Sequence, residues 1–211
     1  MKKTLLILAS ILLIISCKDD QKSKDAENKT SDKNEVVSDT ETSSTPQKTS
    51  SPTNASKTLD LEQEVQNFIT CKKAATERND CRNSITKIIS EGFDLTEFND
   101  PKLGYVVYDS IRPIAESSRN WIQLGTINQE TIDQALEHTN RGGLALIIDT
   151  SETYGHVVMI VPGESKKSGS WGMKLPNVLS LTNYKPEKSF SDKSLSYAMK
   201  KSDDLKIFLR Q

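Results

Sequence analysis

The sequence predicts an α+β domain, in which helices come first and an antiparallel sheet follows. Around residues 61–69 and 81–89, the apolar residues recur at the spacing of amphipathic helices. Later come three short apolar runs that are typical of strands: LALIID at 144–149, HVVMIV at 156–161 and LKIFLR at 205–210. The polar turn TSETYG separates the first two runs, which indicates an antiparallel pair.

The chain of 211 residues divides into three segments, and residues 59–211 are expected to form a single domain. Residues 1–16 carry two lysines and then an apolar run, which is the layout of a secretory signal. Residues 17–58 contain no aromatic residue. Because this segment cannot bury enough apolar surface to offset its ordering entropy, it is expected to be a disordered tether.

The charge balance excludes one class of partner. With 28 Lys and Arg against 29 Asp and Glu, the formal net charge is −1, so there is no basic footprint for nucleic acid. Two histidines and three cysteines form no cluster with the spacing of zinc ligands. We expect no nucleic-acid partner, no metal, no cofactor and a monomeric chain.

The junction LIISC at 13–17 resembles a bacterial lipobox, in which the cysteine is lipidated and becomes the mature N-terminus. The resemblance implies a lipid on Cys17 and anchorage to the outer membrane. A plain signal peptide with an incidental Cys17 is the alternative. Residues 18–20, KDD, resemble the surface-export tag of some Bacteroidetes lipoproteins, but a solvated charge cluster explains them too. The periplasmic side and the cell surface therefore both stay open.

Two helices are predicted at the start of the domain. The first is indicated by an apolar face formed by Leu61, Val65, Phe68 and Ile69. The second is expected to begin at Asn79 or Asp80 as its N-cap and to stop at Gly92. This prediction puts Cys81 in the first helical turn, with its side chain facing the core.

The middle of the domain gives weaker patterns. GYVVYDS at 104–110 is interpreted as a short strand, and RPIAESSRNWIQLG at 112–125 as a helix with Pro113 near its first turn. A further helix is expected in 126–143, with Thr126 and Gln129 at capping-box spacing. His138 falls near the end of that helix, where a solvated side chain or one that complements the helix dipole is expected.

Cys81 and His156 are the candidates for chemistry. A thiolate nucleophile needs a place that favours the charged sulfur, a neighbouring imidazole and donors for an oxyanion. A helix N-terminus at Cys81 would favour the thiolate and donate backbone N–H groups. A histidine on a strand packed against that helix would supply the imidazole. The simpler interpretations are a packed cysteine and a polar first residue of a buried strand.

Two motifs resemble a known family. NDCRNSITKIISEG at 79–92 resembles the cysteine helix of the NlpC/P60 and CHAP peptidoglycan peptidases, and YGHVVMIVPG at 154–163 resembles their histidine strand. The resemblance implies a papain-like NlpC/P60-type fold with N-terminal helices packed on a small antiparallel sheet. It also implies a cysteine amidase or endopeptidase that hydrolyses peptide bonds of peptidoglycan, with Cys81 as nucleophile and His156 as its partner.

The sequence departs from this family at two points. Arg82 and Asn83 follow the cysteine, where NlpC/P60 proteins usually have Ser-Gly. Both families also carry a polar third residue after the histidine strand to orient the imidazole. Here Ser168, Ser170 and Asn177 are the candidates, and Asn177 is preferred.

A disulfide would change the function. An exported protein meets oxidising conditions, and Cys71 is the one cysteine besides Cys17 that could bridge Cys81. Such a bond would abolish the nucleophile and favour a non-catalytic binding lipoprotein on the same fold. We expect instead a free Cys81, with Cys71 packed in the first helix.

Overall fold

A computed structural model describes residues 59–77 and 80–211 of the chain. The predicted signal segment, the tether, Cys17 and the candidate N-cap Asn79 lie outside the described residues. No helix within the described ranges has both the length and the apolar character needed to cross a bilayer.

Helices and strands of the described residues alternate irregularly along the chain. The α-helices are α1 (Leu61–Ala74), α2 (Ser84–Phe93), α3 (Ile111–Ser117), α4 (Gln129–Asn140) and α5 (Leu195–Ala198). The strands are β1 (Asn99–Asp100), β2 (Gly104–Tyr105), β3 (Trp121–Thr126), β4 (Leu144–Asp149), β5 (Val157–Ile160), β6 (Lys166–Ser168), β7 (Met173–Leu175), β8 (Asn177–Ser180), β9 (Phe190–Ser194) and β10 (Leu205–Arg210). Single 3₁₀ turns lie at Tyr108–Ser110 and Pro186–Lys188.

A six-stranded antiparallel sheet in the order β3-β10-β4-β5-β8-β9 forms the centre of the domain. Side chains of β4 alternate between its two faces, because successive residues of a strand point in opposite directions. Leu144, Leu146 and Ile148 belong to one buried cluster, whereas Ala145 and Ile147 belong to the other. Since both faces are covered, the strand is a continuous apolar run. The α+β class is confirmed.

The first helix is confirmed, and it packs on one face of the sheet. Val65 and Phe68 are buried in the same cluster as the buried residues of α2 and α3. The helix begins after Asp60, whose carboxylate accepts a hydrogen bond from the backbone N–H of Gln63 at 3.0 Å. This N-cap satisfies one of the otherwise unpaired donors of the first turn.

The start of the second helix differs from the prediction. α2 begins at Ser84 with Asn83 as N-cap, so Cys81 lies in the turn before the helix and not in its first turn. Cys81 has φ of 62°, in the left-handed region, and cannot continue a right-handed helix. Asp80 does not cap α2, because its carboxylate accepts the backbone N–H groups of Thr76 and Glu77, both at 3.1 Å.

The end of α2 also differs from the prediction. The helix continues through Gly92 to Phe93, and Asp94 follows in the left-handed conformation. A Cβ at Gly92 would lie 3.1 Å from the side chain of Leu59. The glycine therefore permits close packing within the helix, and Asp94 makes the C-terminal turn.

Between α2 and α4 the prediction is partly wrong. Only Gly104–Tyr105 of the expected strand pairs with another strand, as β2, and the expected helix over 112–125 ends at Ser117. The second half of the segment expected to be helical forms β3, in which Trp121 pairs with Arg210 of β10. Pairing with a strand that is distant in sequence therefore overrides the local helical pattern.

The helix α4 is confirmed, with a different cap. Asn128 and Thr131 form the capping box that was expected at Thr126 and Gln129. Near its end, His138 is half-buried and not fully solvated as one of the two expectations had it, because the ring packs under Gly143. Its Nε2 atom is buried without a hydrogen-bond partner among the described residues.

Candidate functional site

Cys81 is joined to Cys71 by a disulfide bond, so the expectation of a free Cys81 is wrong in this structure. Cys71 lies in the last turn of α1, and the chain then reverses before α2. That reversal brings the two Cα atoms to 6.2 Å, within the usual range for a disulfide. Cys71 is exposed, whereas Cys81 is half-buried against the core.

Arg82, the residue after Cys81, also holds this turn in place through its side chain and its backbone. Its guanidinium donates to the carboxylate of Asp109 and lies 5.0 Å from the ring centroid of Tyr108. The backbone N–H of Tyr108 donates in return to the carbonyl of Arg82 at 3.0 Å. These contacts fix the turn to the 3₁₀ turn at Tyr108–Ser110 and so fix the position of the Cys81 sulfur.

His156 lies directly before β5, and its imidazole is anchored by a neighbouring strand. The Nε2 atom is 2.9 Å from the hydroxyl oxygen of Ser180 on β8. Burial lowers the pKa of His156 below its ordinary value of 6.5, and the nearby carboxylate of Asp149 opposes this effect. Because burial is the larger cause, the imidazole is neutral at pH 7.

Cys81 and His156 line the same small cavity. Its walls include Phe68 of α1, Tyr108 and Asn183, and its volume is about 20 Å³. That is room for about one water molecule and far too little for a peptide. No hydrogen bond joins the sulfur of Cys81 to the imidazole among the described contacts. The disulfide-bonded site is therefore closed.

Asn177 is not brought to this cavity. Its carbonyl accepts the backbone N–H of Val161 at 3.0 Å, at the far end of β5 from His156. His156 and Val161 are five residue steps apart along extended chain, which is about 16 Å. Asn177 lines a different cleft, together with Ser168 and Ser170, the other two candidates for the third position. The structure therefore gives none of the three a contact with the imidazole.

Two residues that sequence analysis missed stand near His156. Ser180 is the hydroxyl-bearing residue inside the apolar run VLSL at 178–181, and a polar side chain in a buried strand is a signal for a specific partner. Asn183 lines the cavity, and its Oδ1 atom is buried with no donor among the described residues. This orphaned acceptor could receive an N–H group of a ligand.

The arrangement allows thiol chemistry but offers no metal centre. Within the described ranges, no group of His, Cys, Asp and Glu side chains is placed to hold an ion. What the site contains is a bonded sulfur, a neutral imidazole held at one nitrogen and the guanidinium of Arg82, which pairs with Asp109.

Comparison of the chain with models of known protein families and with curated protein sequences finds no match. The resemblance to the NlpC/P60 and CHAP peptidases therefore depends on the motifs at Cys81 and His156 themselves.

Proposed function

We propose that the domain is a papain-like cysteine hydrolase that cleaves peptide bonds of peptidoglycan, and that the disulfide-bonded form is its inactive state. One observation supports this most directly: Cys81 and His156, far apart in sequence, line one cavity. In the tautomer that the proposal requires, the Nε2–H group of the imidazole donates to the hydroxyl oxygen of Ser180, and the unprotonated Nδ1 can take a proton from sulfur.

Activity requires reduction of the disulfide. Two equivalents of a thiol reductant convert the Cys71–Cys81 bond to two protein thiols and are themselves oxidised to a disulfide. Phe68, on the same helix as Cys71, forms part of the cavity wall. Breaking the bond removes the covalent link between the end of α1 and Cys81, and the proposal requires this end of α1 to move aside to admit a substrate.

In the reduced protein, the reaction follows the usual course of cysteine hydrolases. The imidazole of His156 takes the proton of the Cys81 thiol, and the thiolate attacks the scissile carbonyl. The imidazolium then protonates the leaving amine, and water hydrolyses the acyl-enzyme to restore the thiol. Asn183 accepts an N–H group of the substrate and helps to orient it.

The location is part of the proposal and rests on the sequence alone. A lipid on Cys17 would anchor the protein to the outer membrane, and residues 17–58 would let the domain reach away from the bilayer. Peptidoglycan on the periplasmic side is then the nearest substrate.

Thiol labelling of the purified protein tests the proposal. We expect iodoacetamide to leave Cys71 and Cys81 unmodified without reductant, since thiolates and not disulfides are alkylated. After reduction, Cys81 should react rapidly below pH 7, and His156→Ala should slow this reaction. Equal alkylation rates at Cys71 and Cys81, unaffected by His156→Ala, would contradict an activated nucleophile.

A second candidate function is favoured by the disulfide itself. In the oxidising cell envelope the bond can persist, and the protein would then bind wall fragments without cleaving them. Saturable binding of soluble peptidoglycan fragments by the oxidised protein, without peptide release after reduction, would favour this alternative.

A further inference from the structure

A second concave surface lies at the end of β5 opposite His156. It is a cleft of about 690 Å³ between the β6 end of the β6–β7 hairpin and the segment that holds β9 and α5. This volume lies within the range of small-ligand sites. We call it the lysine cleft after three of the residues that line it, Lys166, Lys167 and Lys193.

The lysine cleft has a positive charge that the described residues do not neutralise. Asp192 is the carboxylate that lines it, and none of the three lysines forms an ion pair with a described carboxylate. Lys167 also lies directly across the β6–β7 ladder from Lys174, and like charges in that position repel each other. Lys174 does not line the cleft, but a bound anion would offset the net positive charge of the residues that do.

One of the three lysines contacts a buried aromatic ring. The ammonium group of Lys193 lies 5.4 Å from the ring centroid of Phe190, which is buried. A cation over an aromatic face is attracted to it and loses some of its rotational freedom. The ammonium group of Lys193 is therefore more restricted than that of a fully solvated lysine, and it lies on Phe190, which is not among the residues that line the cleft.

The remaining lining residues offer hydroxyl groups and one exposed ring. Ser168 is buried, and its hydroxyl lies 3.2 Å from that of Ser170, while Ser194 and Ser196 line the opposite wall. Tyr197 also lines the cleft, and it is 74% exposed. A ring this open to solvent is available to cover the apolar face of a ligand.

We propose that the lysine cleft binds an acidic glycan, that is, an oligosaccharide carrying carboxylate or phosphate groups. The lysines pair with its anionic groups, the serine hydroxyls exchange hydrogen bonds with sugar hydroxyls, and the ring of Tyr197 stacks on a sugar face. An acidic peptide fits less well, because peptide and protein partners are usually anchored by large side chains in buried pockets, and none of the described lining residues is aliphatic. The proposal is independent of the chemistry at Cys81.

Calorimetric titration of the full-length protein tests the proposal. The ligands are an oligogalacturonate for carboxylate, a phosphorylated malto-oligosaccharide for phosphate, a neutral malto-oligosaccharide and an oligoglutamate peptide. We expect one or both acidic sugars to bind, more weakly as salt is added, and the one that binds identifies the anionic group.

Variants test whether the binding occurs in this cleft. We expect the double substitution Lys167→Gln and Lys193→Gln to weaken binding about tenfold. Tyr197→Ala should weaken it as well, while Lys87→Gln, an exposed lysine on α2, should leave it unchanged. Three results would overturn the proposal. Neither acidic sugar binds, the neutral sugar or the peptide binds as tightly as the acidic sugars, or Lys87→Gln weakens binding as much as the double lysine substitution does.

Discussion

The imidazole of His156 is held by the hydroxyl of Ser180, 2.9 Å away on the adjacent strand. We therefore expect Ser180→Ala to lower kcat/KM of the reduced protein on peptidoglycan about tenfold to a hundredfold, because the ring loses its orientation. Initial rates of peptide release measure this effect. Ser90→Ala is the matched control, since Ser90 is also buried but its hydroxyl has no partner among the described residues. Equal loss of activity in both variants would indicate a general packing effect.

The pH dependence of stability follows from the lowered pKa of His156. Below a pH of about 6.5, the ordinary pKa of histidine, the unfolded chain binds a proton at His156. The buried imidazole of the folded chain stays neutral until a lower pH, because burial lowers its pKa. The unfolded state then holds more protons, so the free energy of unfolding falls as the pH drops through this interval. Urea denaturation between pH 5 and 7 measures the slope, and His156→Gln should reduce it. An unchanged slope in the variant would contradict a buried neutral imidazole.

The contact between Arg82 and Asp109 is expected to stabilise the turn that carries Cys81. Arg82→Gln removes a partly buried charged hydrogen bond and should lower the free energy of unfolding by about 1–2 kcal/mol. Arg141→Gln is the control, because Arg141 pairs with Glu137 on the exposed face of α4 and should contribute less than about 0.5 kcal/mol. Denaturant titrations compare the two variants. Equal losses of unfolding free energy in the two variants would mean that burial of the Arg82–Asp109 pair does not increase its contribution to stability.

The disulfide is expected to stabilise the fold as well as to block the nucleophile. A bond across a sequence separation of 10 restricts the unfolded chain, so its loss should lower the free energy of unfolding by about 2–3 kcal/mol. Urea titration of the oxidised and reduced protein measures the difference. Cys71→Ser should match the reduced protein, and a variant as stable as the oxidised protein would contradict this expectation.

Local patterns predicted much of the fold. Periodicity predicts the strands at 144–149 and 205–210 and the helices α1 and α4. The apolar residues of each of these elements pack against the core along its whole length. β3 was missed since the segment from Trp121 to Thr126 is extended only by its pairing with β10. The short strands β6 and β9 contain too many Lys and Ser residues to show a strand pattern, and β7 has only three residues.

The site was harder to predict than the fold. His156 and Cys81 share a cavity as expected, but the disulfide depends on how the chain turns between α1 and α2. Asn177 was preferred by its place in the sequence, whereas the register of β5 against β8 brings Ser180 to the imidazole instead. Register is a long-range property, and no local pattern around residue 177 specifies it.

A pair of cysteine variants tests the proposed hydrolase most directly. Each variant lacks the disulfide, so the two should have similar stability, but only Cys71→Ser retains the Cys81 thiol. The measurement is the release of peptides from purified peptidoglycan by each full-length variant without reductant. We expect Cys71→Ser to be active at once, Cys81→Ser to be inactive, and the wild-type protein to become active only after reduction. A folded Cys71→Ser variant that releases no more peptide than Cys81→Ser would contradict the proposed hydrolase.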